Sequence, residues 1–304
     1  MDKGMIIRYN LHMKIAVLSD IHANYHALLA CIEFMLTKEI DCFVFLGDYL
    51  TDLAFPLKTV EILQDLAKHY KCYFIRGNRE DYLLDNRKCP NFRISSKSGS
   101  LYYTYRHLND DVLDWFETMP IYQKVELTPD ITFEIAHANI DSNRDLFFKN
   151  DVLERELFKD MQTDCLMIGH SHEQYIIKQP NKLIVNPGTI GLSQFGHRQA
   201  ECAIVEYFDG NWDAELYRIP YDNQKVIEEQ FIDDFKDCAK AWMLASCYSV
   251  LTGINYHLKL HSWVTTKVKE TNCDIYDEMI WDDAIRHFGM SDNLEDLLKD
   301  VYNR

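Results

Sequence analysis

The chain contains seven side chains of the metal-ligand type, in five short motifs that follow one another along the sequence. They are two aspartates, one asparagine and four histidines: Asp20, His22, Asp48, Asn78, His137, His170 and His172. Oxygen and imidazole ligands in this combination suit Mn²⁺, Fe²⁺ or Zn²⁺ better than Ca²⁺. The set therefore predicts two divalent cations, with Mn²⁺ or Fe²⁺ preferred and Zn²⁺ or Ni²⁺ as alternatives.

The spacing within the motifs indicates how two ions would be shared. Asp20 and His22 are two residues apart just beyond an apolar segment, so in an extended chain both side chains point to one side. Asp48 can bridge two cations through its two carboxylate oxygens, and His170 and His172 can reach separate ions. Two ions roughly 3.5–4 Å apart can hold a bridging hydroxide and neutralise charge during an in-line displacement at phosphorus.

These motifs follow the predicted strands of a parallel α/β arrangement. Residues 14–19, 41–46 and 71–75 are short apolar runs typical of buried strands, and helical patterns at 25–38 and 56–69 separate them. Each of the first three motifs begins where one of these strands ends. That edge is where open α/β sheets bind their ligands.

A second series of strands follows, which suggests a second sheet packed on the first. The predicted strands are 122–127, 131–136, 165–168, 175–178, 182–185, 201–208 and 212–218, and the predicted helices between the two series are 98–107 and 111–119.

The composition changes after Pro220, where apolar spacing favours helices to the end of the chain. These predicted helices are 222–238, 239–251, 255–270, 278–287 and 293–301. We therefore divide the chain into an N-terminal extension, a main α/β domain and a helical C-terminal extension, at residues 1–13, 14–220 and 221–304.

The bulk composition limits the classes of partner. The 304 residues are 47% hydrophobic, enough for a sizeable core, and carry a formal net charge of −16. This charge disfavours long nucleic acid and anionic membranes, although a pair of bound cations can still attract a small phosphorylated substrate. Nine scattered cysteines without a CxxC pair, and no apolar run typical of a signal peptide or membrane span, predict a cytoplasmic protein with reduced thiols.

Residues 14–220 resemble the calcineurin-like metallophosphoesterase superfamily, in particular its small bacterial and archaeal phosphodiesterase-like members. The resemblance rests on SDIHAN at 19–24, GDY at 47–49, GNRE at 77–80, AHA at 136–138, GHSH at 169–172 and NPGTIGLS at 186–193. It implies a four-layer α/β/β/α sandwich with a dinuclear metal site at one edge. It also implies two ligand sets bridged by Asp48, which are Asp20, His22 and His172 for one ion, and Asn78, His137 and His170 for the other.

Arg79 departs from the pattern of this superfamily, which usually has histidine at this place. That histidine is thought to protonate the leaving oxygen or to bind phosphate. Arginine stays charged and cannot act as a general acid, but it can bind phosphate bidentately and offset developing charge. We predict a phosphate contact for Arg79 and substrates whose leaving groups need little protonation. The alternative is only an ion pair with Glu80, Asp81 or another carboxylate.

Other polar residues admit two interpretations. Asn24 either contacts substrate, as the resemblance implies, or caps the helix that follows it. Arg198, next to His197, either approaches the substrate phosphate or belongs to an ordinary loop. His257 and His261 are one helical turn apart, but no third ligand is near them in the sequence, so we predict a solvated helix face rather than a metal site.

We therefore predict a dinuclear metal-dependent phosphoesterase that acts on a small or nucleotide-like phosphodiester or phosphomonoester. A phosphoprotein or a dinucleoside polyphosphate is an alternative substrate. A second hypothesis is a metal-bound interaction scaffold with little catalysis, in which residues 221–304 bind a partner or form a homo-oligomer. In a third, the extension is a cap that narrows access to the site.

Overall fold

A computed structural model describes residues 12–149 and 154–302 of the chain. The predicted N-terminal extension lies outside the described residues except for its last two, His12 and Met13, which begin the first strand.

Strands and helices within the described residues follow the predicted alternation. Their order is β1 (His12–Leu18), α1 (Tyr25–Leu36), β2 (Cys42–Phe45), α2 (Pro56–His69), β3 (Cys72–Phe74), α3 (Asn78–Lys88), α4 (Gly99–His107), α5 (Asp110–Thr118), β4 (Tyr122–Thr128), β5 (Ile131–Ala136), α6 (Glu154–Asp160), β6 (Cys165–Met167), β7 (Gln174–Gln179), β8 (Lys182–Pro187), β9 (Ala200–Phe208), β10 (Asn211–Ile219), α7 (Asn223–Gln230), α8 (Asp233–Thr252), α9 (Tyr256–Thr271), α10 (Glu278–His287) and α11 (Leu294–Tyr302).

Two five-stranded sheets pack face to face. The first has the order β10-β9-β1-β2-β3, with β1, β2 and β3 parallel, and the second has the order β4-β5-β6-β8-β7, with β5, β6 and β8 parallel. Val17 and Val44 of the first sheet meet Phe133 and Val185 of the second in a fully buried layer. The parallel strands of each sheet end at the same edge, which is where the candidate ligands follow them.

Helices cover the outer faces of both sheets. Leu28 of α1 and Leu63 of α2 pack with Phe43 against the first sheet, and Phe158 of α6 packs with Ile184 against the second. The arrangement confirms the predicted α/β/β/α sandwich. Helices α3 and α6 were not predicted, because α3 is largely polar and α6 is only one or two turns long.

The C-terminal helices share an apolar core with the main domain. Phe235, Leu244 and Trp281 of the extension pack in one buried cluster that includes Leu53 and Leu192. The extension is therefore attached to the sandwich through a continuous core, by burial of apolar surface.

The prediction of one continuous helix over 222–238 is wrong, because α7 ends at Gln230. The buried Gln230 side chain accepts a hydrogen bond from Ala54 N of the main domain (2.9 Å), and α8 starts only at Asp233. The predicted boundary at 238/239 coincides with a kink at Ala239 (φ −156°, ψ 51°) within α8. There α4 approaches so closely that a Cβ on Gly99 would lie 1.8 Å from Cys238 O.

No helix in the described part of the chain is long and apolar enough to cross a bilayer.

Candidate metal centre and its cleft

All seven candidate ligands follow strand ends at one edge of the sandwich, and five of them have left-handed backbone. Their φ angles lie between 51° and 65°, at Asp20, His22, Asp48, His170 and His172. This conformation is unfavourable for residues other than glycine and persists only where the surroundings impose it. Here the loops are tied together by backbone hydrogen bonds, such as Asp20 N to Gly47 O (3.1 Å) and His22 N to Asp48 O (3.0 Å).

Two glycines allow these loops to approach each other. Gly47 has φ +95°, and a Cβ at this position would lie 2.4 Å from Gly77 N. A Cβ on Gly77 would lie 2.2 Å from the Asp48 carboxylate. The GD and GN pairs of the motifs therefore leave the space that Asp48 and Asn78 need.

The first cluster consists of Asp20, His22 and His172, all buried. The two histidine Nε2 atoms are 3.2 Å apart, and Asp20 Oδ1 lies 3.3 Å from His172 Nε2. Burial alone would raise the pKa of Asp20, but the charge of the nearby His172 outweighs it and holds this pKa well below its ordinary value. Asp20 Oδ1 has no hydrogen-bond partner among the described residues, whereas Oδ2 accepts bonds from Ser19 Oγ and His170 N.

The second cluster consists of Asp48, His137 and His170, with Asn78 beside them. His137 Nε2 lies 3.1 Å from both Asn78 Oδ1 and His170 Nδ1, and 3.5 Å from Asp48 Oδ1. Burial, together with the neighbouring His137, lowers the pKa of His170 to about 4. His170 therefore stays neutral near pH 7, as a metal ligand must.

Each of the four histidines has an oxygen atom at the ring nitrogen that faces away from its cluster. The partners are Asp52 Oδ2 at 2.8 Å for His22 Nδ1, Leu192 O at 3.1 Å for His172 Nδ1, Leu46 O at 2.6 Å for His137 Nδ1 and Arg144 O at 3.2 Å for His170 Nε2. At His137 and His170 the backbone carbonyl favours a proton on the outward nitrogen and a lone pair on the inward one. The other two histidines are held differently: among the described residues His22 Nδ1 has no hydrogen bond despite its short distance to Asp52, and His172 Nδ1 also lies 2.9 Å from Gln194 Nε2.

The residues of both clusters fit divalent cations. Their inward atoms are mostly 3.1–3.5 Å apart, which is about the separation of neighbouring ligands around an ion with bonds of roughly 2.0–2.2 Å. In the second cluster, where His137 Nδ1 faces Leu46 O and His170 stays neutral, the inward lone pairs would repel one another in a buried site without a cation. The donor set of imidazole, carboxylate and amide oxygen suits a first-row transition metal.

Glu80 holds the loops of the second cluster in place. Its carboxylate accepts three backbone N–H bonds, from Asp48 (2.9 Å), Tyr49 (2.9 Å) and Gly77 (2.8 Å), and it is fully buried. Burial and the charge of Asp48 raise the pKa of Glu80 to about 7, although the bonds from the backbone oppose this shift.

Asp52 is a functional candidate that the sequence did not reveal. One of its oxygens, Oδ2, lies 2.8 Å from His22 Nδ1 and 3.2 Å from Arg79 Nη2, and the other accepts a bond from Trp242 Nε1 (2.6 Å). Burial would raise the pKa of Asp52, but the charges of Arg79 and His22 keep it well below the ordinary value. The residue lies in a loop without a motif, so no sequence pattern points to it.

Arg79 forms an ion pair and also faces the open cleft. Besides its contact with Asp52, its Nε lies 3.9 Å from Asp48 Oδ2, and its side chain is 22% exposed. The ion pair of the alternative interpretation is therefore present with another carboxylate, Asp52. Its two named partners are wrong, because Glu80 binds backbone N–H groups and Asp81 pairs with Arg76 (2.6 Å).

A cavity of about 500 Å³ contains this centre and is closed on one side by the C-terminal extension. His257 and His261 line it, so the predicted solvated helix face is wrong. The start of α9 is turned toward the site because Asn255 caps the helix and also donates to Gln194 Oε1 (2.6 Å). His257 packs on Trp242, with ring centroids 4.6 Å apart.

Asn24 and Arg198 do not line this cavity. Asn24 is buried, caps α1 by accepting a bond from Ala27 N (3.2 Å) and donates to Gly191 O (3.0 Å), which agrees with the capping interpretation. Arg198 is exposed, and its backbone oxygen accepts a bond from Asn223 Nδ2 (3.0 Å).

Two packed sheets with paired clusters of metal-ligand side chains at one edge define a metallophosphoesterase. The chain belongs to the calcineurin-like phosphoesterase superfamily, because the sequence model of the calcineurin-like phosphoesterase superfamily domain matches residues 13–216. An uncharacterised protein of Methanocaldococcus jannaschii is 24% identical over 242 residues, which are 71% of this chain and 90% of that protein.

Two solved structures share the fold. A hypothetical protein from Pyrococcus horikoshii has a TM-score of 0.62 and 17% identity, with 75% of this chain and 98% of the other covered. A metallophosphoesterase from Sphaerobacter thermophilus has a TM-score of 0.59 and 18% identity, with 80% of this chain and 100% of the other covered.

Proposed function

We propose that the protein is a dinuclear metal-dependent hydrolase of small phosphoesters. The observation that carries this proposal is the pair of clusters of candidate ligand atoms, of which His22, Asp48, Asn78, His170 and His172 line one cavity together with Arg79. In this proposal, one ion is held by Asp20, His22 and His172. The other ion is held by Asn78, His137 and His170, and both ions share Asp48. Two such ions, when bound, lower the pKa of water and polarise a phosphoryl group.

The side chains around the clusters orient the substrate in this proposal. The Arg79 guanidinium binds phosphate oxygens, and Asp52 holds it in position while it also lies 2.8 Å from His22 Nδ1. Trp242 and His257 exclude water from one side of the cavity. These contacts favour the C-terminal extension as a cap over the extension as an independent interaction module.

Metal removal tests the proposal. Protein treated with a chelator is expected to lose hydrolysis of bis-p-nitrophenyl phosphate and p-nitrophenyl phosphate, and to regain it with Mn²⁺ or Fe²⁺, or with Zn²⁺ or Ni²⁺, because both clusters need cations. Activity assays and elemental analysis check this, with two ions per chain expected. Absence of turnover with all four metals would reject the proposal.

Arg79→His is expected to change the leaving-group dependence. Histidine supplies a proton donor that arginine lacks, so the ratio of kcat/KM for methyl phenyl phosphate over methyl p-nitrophenyl phosphate should rise at least about tenfold. Steady-state kinetics on the two esters measure this ratio. Arg79→Gln is the matched control, since it removes the guanidinium charge without supplying an acid and should weaken both esters alike. An equal loss on both esters in Arg79→His would contradict the expectation.

A further inference from the structure

A second cavity of about 560 Å³ adjoins the metal-site cavity. The two share Arg79, Trp242 and His261 as lining residues, so they form one cleft that continues beyond Arg79. We call this second cavity the distal compartment. It lies between the segment that joins α3 to α4 and the C-terminal extension.

The wall of the distal compartment carries two cations without carboxylate partners. Lys97 Nζ lies 3.2 Å from His261 Nε2, and the Arg93 guanidinium lies 4.6 Å from the centre of the Tyr276 ring. No carboxylate within the described residues lies within 4 Å of either charged group. Burial, and then the charge of Arg79, lower the pKa of Lys97. Two unpaired cations therefore face a cleft in a chain with 32 basic and 48 acidic residues.

The segment that carries these cations is fixed to the extension. Ser96 Oγ donates to Glu278 Oε2 (2.9 Å) and accepts a bond from Ala241 N (3.0 Å), and Ser96 is buried. Because both neighbours belong to the C-terminal helices, Lys97 is held in the wall of the compartment and is only partly exposed.

Carboxylates do not cancel this positive charge. Asp52 is already occupied by Arg79, His22 and Trp242. Asp85, the other carboxylate of the wall, is exposed, and its nearest cation is Arg144 at 3.7 Å. The compartment is thus suited to an anion.

Aromatic rings stand beside the cations. They are Tyr82, Phe92, Trp242 and Tyr276, and each is partly exposed. Rings of this kind stack on any nucleobase or on another flat ring, because every base has a π-face. An occupant with both a ring and an anionic group would use both features of the wall.

We propose that the distal compartment binds the part of the substrate beyond the scissile phosphate, and that this part is a nucleoside-like ring system with a second phosphate. The inference rests on the proposed hydrolase function and names its substrate class. Arg79 then lies between the two phosphates, with the metal clusters on one side and Arg93 and Lys97 on the other.

Two p-nitrophenyl esters that differ in one phosphate test this inference. Thymidine 5′-(p-nitrophenyl phosphate) and its 3′-phosphorylated form have the same ring and leaving group. The 3′-phosphorylated ester is expected to have a kcat/KM at least about tenfold higher, mainly through a lower KM. Arg93→Met and Lys97→Met should each reduce this preference toward unity, whereas Lys124→Met, an exposed charge on β4, should leave it unchanged.

Failures of the two proposals are distinguishable. Absence of turnover on both bis-p-nitrophenyl phosphate and p-nitrophenyl phosphate with all four metals rejects the hydrolase function. Equal kcat/KM for the two thymidine esters, or a preference that survives in both variants, overturns the distal site. If a variant loses all activity, or if the wild type shows none, calorimetry measures binding instead. At least tenfold tighter binding of thymidine 3′,5′-bisphosphate than of thymidine 5′-monophosphate by the wild type supports the site, and equal binding rejects it.

Discussion

Replacing Asp48 with asparagine is expected to lower kcat/KM for bis-p-nitrophenyl phosphate by about 10³-fold or more. The Asp48 carboxylate is buried, 3.5 Å from His137 Nε2, and one of its oxygens also accepts the backbone N–H of Arg79 (2.9 Å). Asparagine has a similar shape but only one acceptor oxygen and no charge, so it cannot bridge two cations. Kinetics and elemental analysis of the same preparation measure the effect, with fewer than two ions per chain expected.

Asp65→Asn is the matched control for this variant. It removes the same charge from an exposed position on α2, where Asp65 only pairs with Lys68 (3.4 Å). Activity and metal content should stay at the wild-type values. If Asp48→Asn kept more than a tenth of the activity, the shared-ligand role of Asp48 would be wrong.

Glu80→Ala is expected to lower the free energy of unfolding by about 3 kcal/mol. Three buried N–H groups lose their acceptor, and each unsatisfied group costs roughly 1–3 kcal/mol. Part of this cost is offset, because a buried carboxylate next to Asp48 is itself unfavourable, as its raised pKa shows. Urea denaturation of metal-free protein measures the change.

Two further variants make the Glu80 measurement specific. Glu80→Gln keeps one acceptor oxygen but places an amide N–H₂ against the backbone donors, so its stability should lie between wild type and Glu80→Ala. Glu33→Ala, at an exposed position of α1, should change stability by no more than about 0.5 kcal/mol. A loss below about 1 kcal/mol in Glu80→Ala would show that water replaces the carboxylate.

Local sequence patterns were enough to predict most elements of the fold. β5 and α10 have the predicted bounds, because a turn precedes the alternating strand and an amphipathic pattern defines the helix. α3 was missed, since its sequence is mostly polar and only Leu83 and Leu84 show its apolar side. The break after Gln230 was also missed, since the Gln230 side chain binds Ala54, which is far away in the sequence, and no local pattern shows this contact.

The candidate ligands were predictable because each follows a strand end, and parallel strand ends meet at one edge of the sheet. The residues that surround the clusters could not be predicted in this way. Asp52 contacts His22 and Trp242, which are 30 and 190 residues away along the chain, so no local pattern connects them. His257 and His261 reach the cleft only because the extension folds back over the main domain.

The left-handed backbone at five candidate ligands is kept by bonds that their own side chains make. Glycine would relieve this conformation by roughly 1 kcal/mol per position. At the buried Asp20, however, glycine would leave Ser19 Oγ and His170 N without their acceptor, at a cost of roughly 1–3 kcal/mol for each group. The side-chain bonds therefore outweigh the backbone strain. Because the protein's own hydrogen bonds already fix these loops, binding of an ion would remove little conformational entropy from them.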